Sequence, residues 1–408
     1  MPIIEHLTDI DMYKFTMGQF ILHRYPDVPV KFAFKCRTKN VRPADVVSEK
    51  ELREELDHPR TLRFKESQLF YIANMTVSGR RMFMEDYIQF LRQYQLPEYS
   101  LQVVDGMFEA EFSDTWADST YWETIFLSIF DELYYRNLVQ QKGHKREAAY
   151  AEGIRRLEKK VALLCTRPEL TFIDFGTRRR FSRRWHEFVI AFLITEIPNQ
   201  FVGTSNVRLA MEYGLEPKGT NAHELSMVIA GTKFPHVEEI RRSHVQVVDE
   251  WYNEFGEALS VILPDTFGTD ACLAMLTKEH AHACRGFRQD SGDPIMFGEK
   301  ILQFYKQHGV DATKKLIVFS DGLDVDAMIR IYDHFHKRIQ VTFGWGTNLT
   351  NDLGYKPLSL VVKAVEACGH GLVKLPDNLA KATGRPELIE LYKKIFGYTG
   401  ATYEECTY

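Results

Sequence analysis

The residues of this chain best suited to covalent chemistry centre on His223, in the run Gly219-Thr220-Asn221-Ala222-His223-Glu224. A neutral imidazole is a competent nucleophile near pH 7 and can carry a phosphoryl group. One histidine among 14 is weak evidence alone, so its company matters. Gly203-Thr204-Ser205-Asn206 places hydroxyls and backbone N–H groups ahead of a helical pattern from Val207, where they can cap the helix or hold an anion. Asp174-Phe175-Gly176-Thr177-Arg178-Arg179-Arg180 joins a glycine that eases a turn to three guanidinium groups suited to carboxylate or phosphate. Arg178, nearest the apolar run, is expected to face a ligand; Arg179 and Arg180 read as a solvated basic helix start.

Three carboxylates, Asp265, Asp290 and Asp321, each close a short apolar run. Such groups can hold Mg²⁺, order ribose hydroxyls or orient a basic partner. Arg288 precedes Asp290 by two positions, which puts both on one face of an extended strand. Ser320-Asp321-Gly322 and Phe343-Gly344-Trp345-Gly346-Thr347-Asn348 combine glycines and hydroxyls that let backbone N–H groups approach phosphate oxygens. Tyr13, in a helix-prone segment, reads by default as a packing residue. Glu224 either orients the neighbouring imidazole or faces solvent. The inventory suits a substrate with several phosphates and a planar acidic ring.

Repeated units must position these groups. From Thr171 onward short apolar runs recur, each followed by a polar or glycine cluster and then a helical pattern. The runs are 171–174, 200–202, 259–263, 286–288, 316–319, 339–343 and 360–363, and the one wide gap, after Val202, contains His223. Strand-loop-helix repeats imply a parallel sheet with helices outside. No complete GxGxxG and no Walker-type phosphate loop occurs, whereas polar clusters follow nearly every strand, as at the rim of a barrel. A barrel is therefore expected over an open doubly wound sheet. The earlier part of the chain differs, with a strand over Val30–Cys36 and helices over Arg81–Tyr94, Tyr121–Val139 and much of 45–65 and 142–160. The expected layout is an N-terminal α+β lobe over 1–165, an α/β catalytic barrel over 166–365, and a C-terminal segment over 366–408 that returns to the first lobe.

Composition bounds the function. A net charge of −5 on 408 residues argues against bulk binding to nucleic acid or an anionic membrane, so any basic site is local. Cys36, Cys165, Cys272, Cys284, Cys368 and Cys406 show no CxxC or zinc spacing, which suits reduced thiols. Neither a signal peptide nor a transmembrane run is read. A cytoplasmic globular protein is expected.

Thr8-Asp9 with Tyr13-Lys14, Asp174 to Arg179, Gly203 to Asn206, Gly219-Thr220 with Ala222-His223-Glu224, and Arg288 to Asp293 occur in an order and spacing that closely resembles bacterial nicotinate phosphoribosyltransferases, from about residue 6 to residue 400. The resemblance implies a type II phosphoribosyltransferase: an irregular α/β barrel beside a lobe built from both chain ends, working as a homodimer with shared active sites. Its implied reaction joins nicotinate to 5-phosphoribosyl 1-diphosphate, giving nicotinate mononucleotide and diphosphate. ATP hydrolysis is coupled and Mg²⁺ required, in the salvage entry to NAD. The resemblance places His223 as the residue phosphorylated by ATP, Phe175 as the ring-stacking aromatic and Tyr13 as an aromatic from the other subunit. Arg178 is implied as a phosphate or ring-carboxylate contact, Arg288 as a partner for substrate phosphates, Asp290 as a holder of ribose hydroxyls and Asp265 as an organiser of the ring or ribose side. Ser320, Asp321, Gly322, Gly344, Gly346 and Thr347 resemble the loops that receive the 5-phosphate, and Thr204 belongs to the substrate loop beside Ser205. The nicotinamide-using relatives carry Asp at the position of Ser205; a hydroxyl can donate to a ring carboxylate that an Asp would repel. Nicotinamide or quinolinate as substrate is the nearest alternative. A barrel aldolase or glycosidase, with Lys363 as its one strand-end lysine, and a non-catalytic nucleotide-binding barrel are further ones.

Overall fold

The computed structural model describes residues 2–400, so Cys406 and the end of the expected C-terminal segment lie outside the described residues. Among these, two large sheets organise the chain. The first is parallel and six-stranded, in the order Phe201–Thr204, Thr171–Asp174, Gln340–Trp345, Leu316–Phe319, Gly286–Gln289, Val261–Ile262. Its strands are short apolar runs, because both faces are buried: Phe172, Ile317, Phe319 and Phe343 are inaccessible. The intervening helices bury one stripe each, as Val325–Phe335 does with Met328, Ile331, Tyr332 and Phe335.

The strand order is informative. The last strand along the chain, Gln340–Trp345, pairs in parallel with the first, Thr171–Asp174, with Phe343 opposite Phe172. A doubly wound sheet keeps its late strands away from its first one; pairing first with last gives this sheet the cyclic strand order of a ring. The ring has one seam, between Phe201–Thr204 and Val261–Ile262. The wide gap in the sequence lies there and holds the helices Val207–Tyr213, Glu224–Thr232 and Val237–Phe255. Other chain segments pair with backbone groups at or just beyond the seam: Lys218 N–H donates to Thr204 O at 2.9 Å, and Leu375 N–H to Thr266 O, in the turn after Val261–Ile262, at 2.7 Å.

The second sheet is antiparallel, in the order His370–Gly371, Leu360–Ala367, Pro29–Cys36, Met107–Thr115, Tyr99–Val104. The run 360–363, expected as the last parallel strand, belongs here instead, with Val362 opposite Phe34. Both edges of Gln340–Trp345 are already paired, which leaves no place beside it for that run, and the expected boundary at 365 falls inside this strand. Helix Trp122–Gln141 packs beneath the sheet, the rings of Phe34 and Phe126 lying 4.7 Å apart. The C-terminal segment joins the first lobe's sheet through His370–Gly371, beside Leu360–Ala367, and its helix then continues to the other lobe. Helix Pro386–Phe396 packs on Val237–Phe255 and Phe267, where Phe396 stacks at 4.3 Å, because its apolar stripe meets a second small core there.

An ion pair attaches the N-terminal segment to the ring. Arg180, expected in solvent, is fully buried and grips Asp9 through both Nη atoms at 2.7 and 2.8 Å. Asn206 Nδ2 also donates to Asp9, at 2.8 Å. Burial alone would raise the Asp9 carboxyl, but Arg180 and Arg208 outweigh it and hold the group far below the usual range. Replacing Asp9 by Asn would leave a buried guanidinium without its charge partner. We expect a loss of about 3–5 kcal/mol in urea denaturation; a loss below about 1 kcal/mol, the range of exposed pairs, would contradict a structural role for this pair.

Candidate functional site

The rim of the parallel ring faces the antiparallel sheet across a cleft of about 590 Å³. Its lining gathers most of the residues expected from sequence: Tyr13, Phe175, Arg178, Ser205, His223, Arg288, Asp290, Ser320, Asp321, Gly322, Gly344, Gly346 and Thr347. Each comes from the end of a strand, from the loop after one, or from a segment stapled to one.

His223 stands at the start of helix Glu224–Thr232 and is 4% exposed. Its Nε2 lies 2.9 Å from Asp290 Oδ2, and its Nδ1 lies 3.0 Å from Thr266 Oγ1. Burial lowers its pKa to about 4, and the Lys374 ammonium pushes the same way against the pull of Asp265 and Asp290. Burial works to raise Asp290, but His223, Lys374 and Arg288 outweigh it and keep that carboxylate ionised. An ionised carboxylate only accepts, so Nε2 carries the proton and donates to Asp290. The lone pair is then on Nδ1, where the Thr266 hydroxyl donates to it. A neutral imidazole with one fixed, available lone pair is the state a nucleophile needs.

The ring end of the cleft is built from Phe175, Tyr13, Arg178 and Ser205. Gly344 leaves room for the Phe175 ring, since a β-carbon there would sit 2.3 Å from Phe175 Cδ2. Tyr13 of this chain lines the cleft: Met12 N–H donates to Ser205 O at 2.6 Å and sets Tyr13 beside Arg178. The Arg178 guanidinium lies 5.5 Å from the Tyr13 ring centre, and its Nη1 donates to Glu123 Oε1 at 3.1 Å. Ser205 faces the cleft, but its hydroxyl donates to Asp11 Oδ1 at 2.6 Å rather than standing free for a ligand.

Two expected residues face elsewhere. Thr204 is fully buried and donates to Asp174 Oδ2 at 2.6 Å, a carboxylate that also meets His186 Nε2 at 2.7 Å. That network fixes the rim from behind. Asp265 lies behind His223, its Oδ1 3.6 Å from Nε2 and its Oδ2 accepting from Ser291. Glu224 turns away from the imidazole and from solvent, into the junction of the two lobes.

The opposite wall of the cleft is cationic, which no motif in the sequence announces. Arg37, Lys363, Lys374 and Lys381 line it. Lys374 Nζ is 3.7 Å from Asp290 Oδ2, and Lys381 pairs with Asp321 while donating to Asp290 O at 3.0 Å. Burial lowers the Lys363 ammonium to about 7, with Lys374 and Arg178 adding to the effect against the pull of Glu123. The Nε of Arg288 is buried without a hydrogen-bond partner among the described residues, so this guanidinium retains donor capacity. Four lysines and arginines opposite Arg178 and Arg288 make a trough for a polyanion.

Fold and cleft define an α/β protein whose cleft sets a cationic wall beside an aromatic end. Residues 170–400 match the nicotinate phosphoribosyltransferase (NAPRTase) family, and residues 8–131 match its N-terminal domain. The chain belongs to that family and is a phosphoribosyltransferase of NAD salvage. Its structure is similar to nicotinate phosphoribosyltransferases from Vibrio cholerae (31% identity, 97% of this chain and 94% of that one, TM-score 0.86) and Porphyromonas gingivalis (30% identity, 97% and 100%, TM-score 0.87). A structure from Saccharomyces cerevisiae is also similar, at 28% identity over 98% of this chain and 99% of that one, with TM-score 0.86. No helix among the described residues is long and apolar enough to cross a membrane.

A nuclear magnetic resonance titration of His223 should give a midpoint near 4, well below the ordinary 6.5. Because the folded pKa is the lower one, His223 contributes stability above pH 6.5 that is lost as pH falls toward 4. A midpoint at or above 6.5 would remove the case for a neutral nucleophile.

Proposed function

We propose that this protein joins nicotinate to 5-phosphoribosyl 1-diphosphate, and that ATP hydrolysis is coupled to the reaction through phosphorylation of His223. The observation that carries the proposal is the neutral His223 imidazole, held between Asp290 and Thr266 on the wall of a cleft with a cationic trough. In this reading the parallel ring is an irregular barrel closed at its seam by segments 218–223 and 374–375. The protein is a cytoplasmic homodimer.

Nicotinate lies against Phe175 and Tyr13, with its carboxylate toward Arg178. The Ser205 hydroxyl acts mainly by keeping a second carboxylate away, since its own proton is committed to Asp11. The 5-phosphate sits on the loops of Ser320, Asp321, Gly322, Gly344, Gly346 and Thr347, and Asp290 Oδ1 meets the ribose hydroxyls. The pyridine nitrogen attacks C1 as the C1–O bond to diphosphate breaks, and the electron pair leaves on diphosphate. That nitrogen is unprotonated at neutral pH, so no general base is required. Arg288, Lys374 and Lys381 receive the growing negative charge of the leaving group.

Coupling uses the other partner of Asp290. The Nδ1 lone pair of His223 forms a bond to the γ phosphorus of ATP while the bond to the bridging oxygen breaks, and the electron pair leaves on ADP. Water later takes the phosphoryl group and restores the imidazole. Mg²⁺ binds mostly through phosphates and water with one or two carboxylates. Asp290 and Asp321, which face the cleft, fit that pattern better than the cluster His223–Asp265–Asp290, whose imidazole is a poor partner for a hard cation. When bound, the ion would neutralise diphosphate charge.

Two measurements test the reading. Radiolabelled ATP should leave an acid-labile, base-stable phosphate on the native protein and none on His223→Asn, whose ATP-dependent stimulation should vanish; full stimulation in that variant would overturn the coupling. Ser205→Asp, which sets a second carboxylate beside Asp11, should raise the KM for nicotinate at least about tenfold, about 1.4 kcal/mol. An unchanged KM would place acid selection elsewhere.

A further inference from the structure

Lys14 is fully buried, although a lysine ordinarily keeps its ammonium in water. Its Nζ is held by Glu224 Oε2 at 2.7 Å, Glu123 Oε2 at 2.8 Å and Thr120 Oγ1 at 3.1 Å. Burial works against the charge, but the two carboxylates overcome it and raise the ammonium pKa, so Lys14 stays charged. The partners lie on two different parts of the site. Glu224 directly follows His223 and is the first residue of its helix. Glu123 accepts from Tyr13 Oη at 2.9 Å and from Arg178 Nη1 at 3.1 Å, the two groups at the ring end of the cleft.

We infer that Lys14 and Glu224 are positioning residues that transmit the state of His223 to Tyr13 and Arg178, so that phosphorylating His223 tightens binding of the nicotinate ring. This rests on the phosphohistidine reading above. The linkage is short and stiff. A phosphoryl group on Nδ1 occupies the place where Thr266 now donates, so the start of helix Glu224–Thr232 must adjust. Glu224 cannot adjust alone, because Oε1 accepts from Trp116 Nε1 and from Thr120 Oγ1, both at 2.7 Å, and Oε2 accepts from Lys14. The loop before His223 is locked to the same N-terminal helix. Thr16 Oγ1 donates to Thr220 O at 2.6 Å, and a β-carbon on Gly219 would sit 2.8 Å from Tyr13 N. Helix Met12–Arg24, with Tyr13 and Lys14 in its first turn, therefore follows the loop. Packed interiors pass such shifts as steps between discrete arrangements, and a pathway is established only by a measured coupling.

Glu224→Gln cuts this link selectively. The amide oxygen can still accept from Trp116 and Thr120, while its NH₂ cannot accept from Lys14, which keeps Glu123 as its counter-charge. The measurement is the KM for nicotinate without and with ATP, taken beside acid-labile phosphate incorporation on the same preparation. We expect label to remain while the ATP-dependent KM ratio falls at least about fivefold toward unity. Label retained with the native ratio would overturn the relay. A native protein that takes label but shows no ATP effect on the KM for nicotinate would overturn it too. A native protein that takes no label would instead overturn the phosphohistidine reading itself, and the two failures are distinct. If Glu224→Gln does not fold, Glu224→Asp, which keeps the charge but withdraws it by one methylene, is measured with the same expected and overturning results.

Discussion

The ring end of the cleft depends on one buried ion pair. Asp9 and Arg180 are both removed from water, a step that costs each charge several kcal/mol before any attraction is counted. The bidentate geometry, the Asn206 amide and the nearby Arg208 offset that cost. In consequence residues 8–12 run beside residues 205–208, with Arg208 N–H donating to Thr8 O at 2.9 Å and Val207 N–H to Ile10 O at 3.0 Å. Asp11 and Tyr13 reach the cleft only because of this pairing. Without it Phe175 and Arg178 would face an open rim.

A second constraint explains where the reactive imidazole sits. A ring of strands with every edge paired would offer no backbone groups to outside segments. This ring leaves its seam between Phe201–Thr204 and Val261–Ile262, and buried N–H and C=O groups there require partners. Segments 218–223 and 374–375 supply some of them. Each brings a functional side chain, His223 from one and Lys374 from the other. The satisfaction of the seam and the assembly of the site are thus one event, and the longest insertion between strands falls at the same place.

Strand-loop-helix repetition is readable because buried parallel strands are continuous apolar runs, and the rim residues follow as the loops after them. The same signal misplaces 360–363, since a run of Leu360, Val361 and Val362 looks alike in either sheet; only pairing with Pro29–Cys36 decides. The hairpin Tyr99–Val104/Met107–Thr115 is legible too, although absent from the expectations: Asp105-Gly106, with φ of 51° and 78°, is a strong two-residue turn signal. Arg180 looks solvated because three successive arginines suggest a surface, and nothing local announces Asp9 as its partner. Lys374, Lys381 and Arg37 carry no motif. Their role comes from the antiparallel sheet laying its chain-end segments across the rim, a long-range fact that spacing cannot encode. Thr204 and Asp265 have the right types but point into the supporting network: Thr204 ends a strand, whose successive side chains face opposite sides, and Asp265 lies in the short 3-10 turn after another.

The charge arrangement reconciles two demands that compete within one cleft. In the proposed reaction a trough for diphosphate needs cations, whereas the His223 imidazole must remain uncharged and correctly protonated to act as a nucleophile. Distributing cations over both walls, at Lys374 and Lys381 on one and Arg288 on the other, serves the first demand and assists the second, since Lys374 also disfavours protonation of His223. Asp290 mediates between them. By accepting the Nε2 proton it fixes the tautomer, and by facing Lys374 at 3.7 Å it remains ionised despite burial. Removing Asp290 would therefore do more than delete the proposed ribose contact: it would free the imidazole to exchange tautomers and leave Lys374 facing His223 without the intervening charge. The carboxylate is best understood as the element that lets the proposed polyanion site and a neutral imidazole share one cleft.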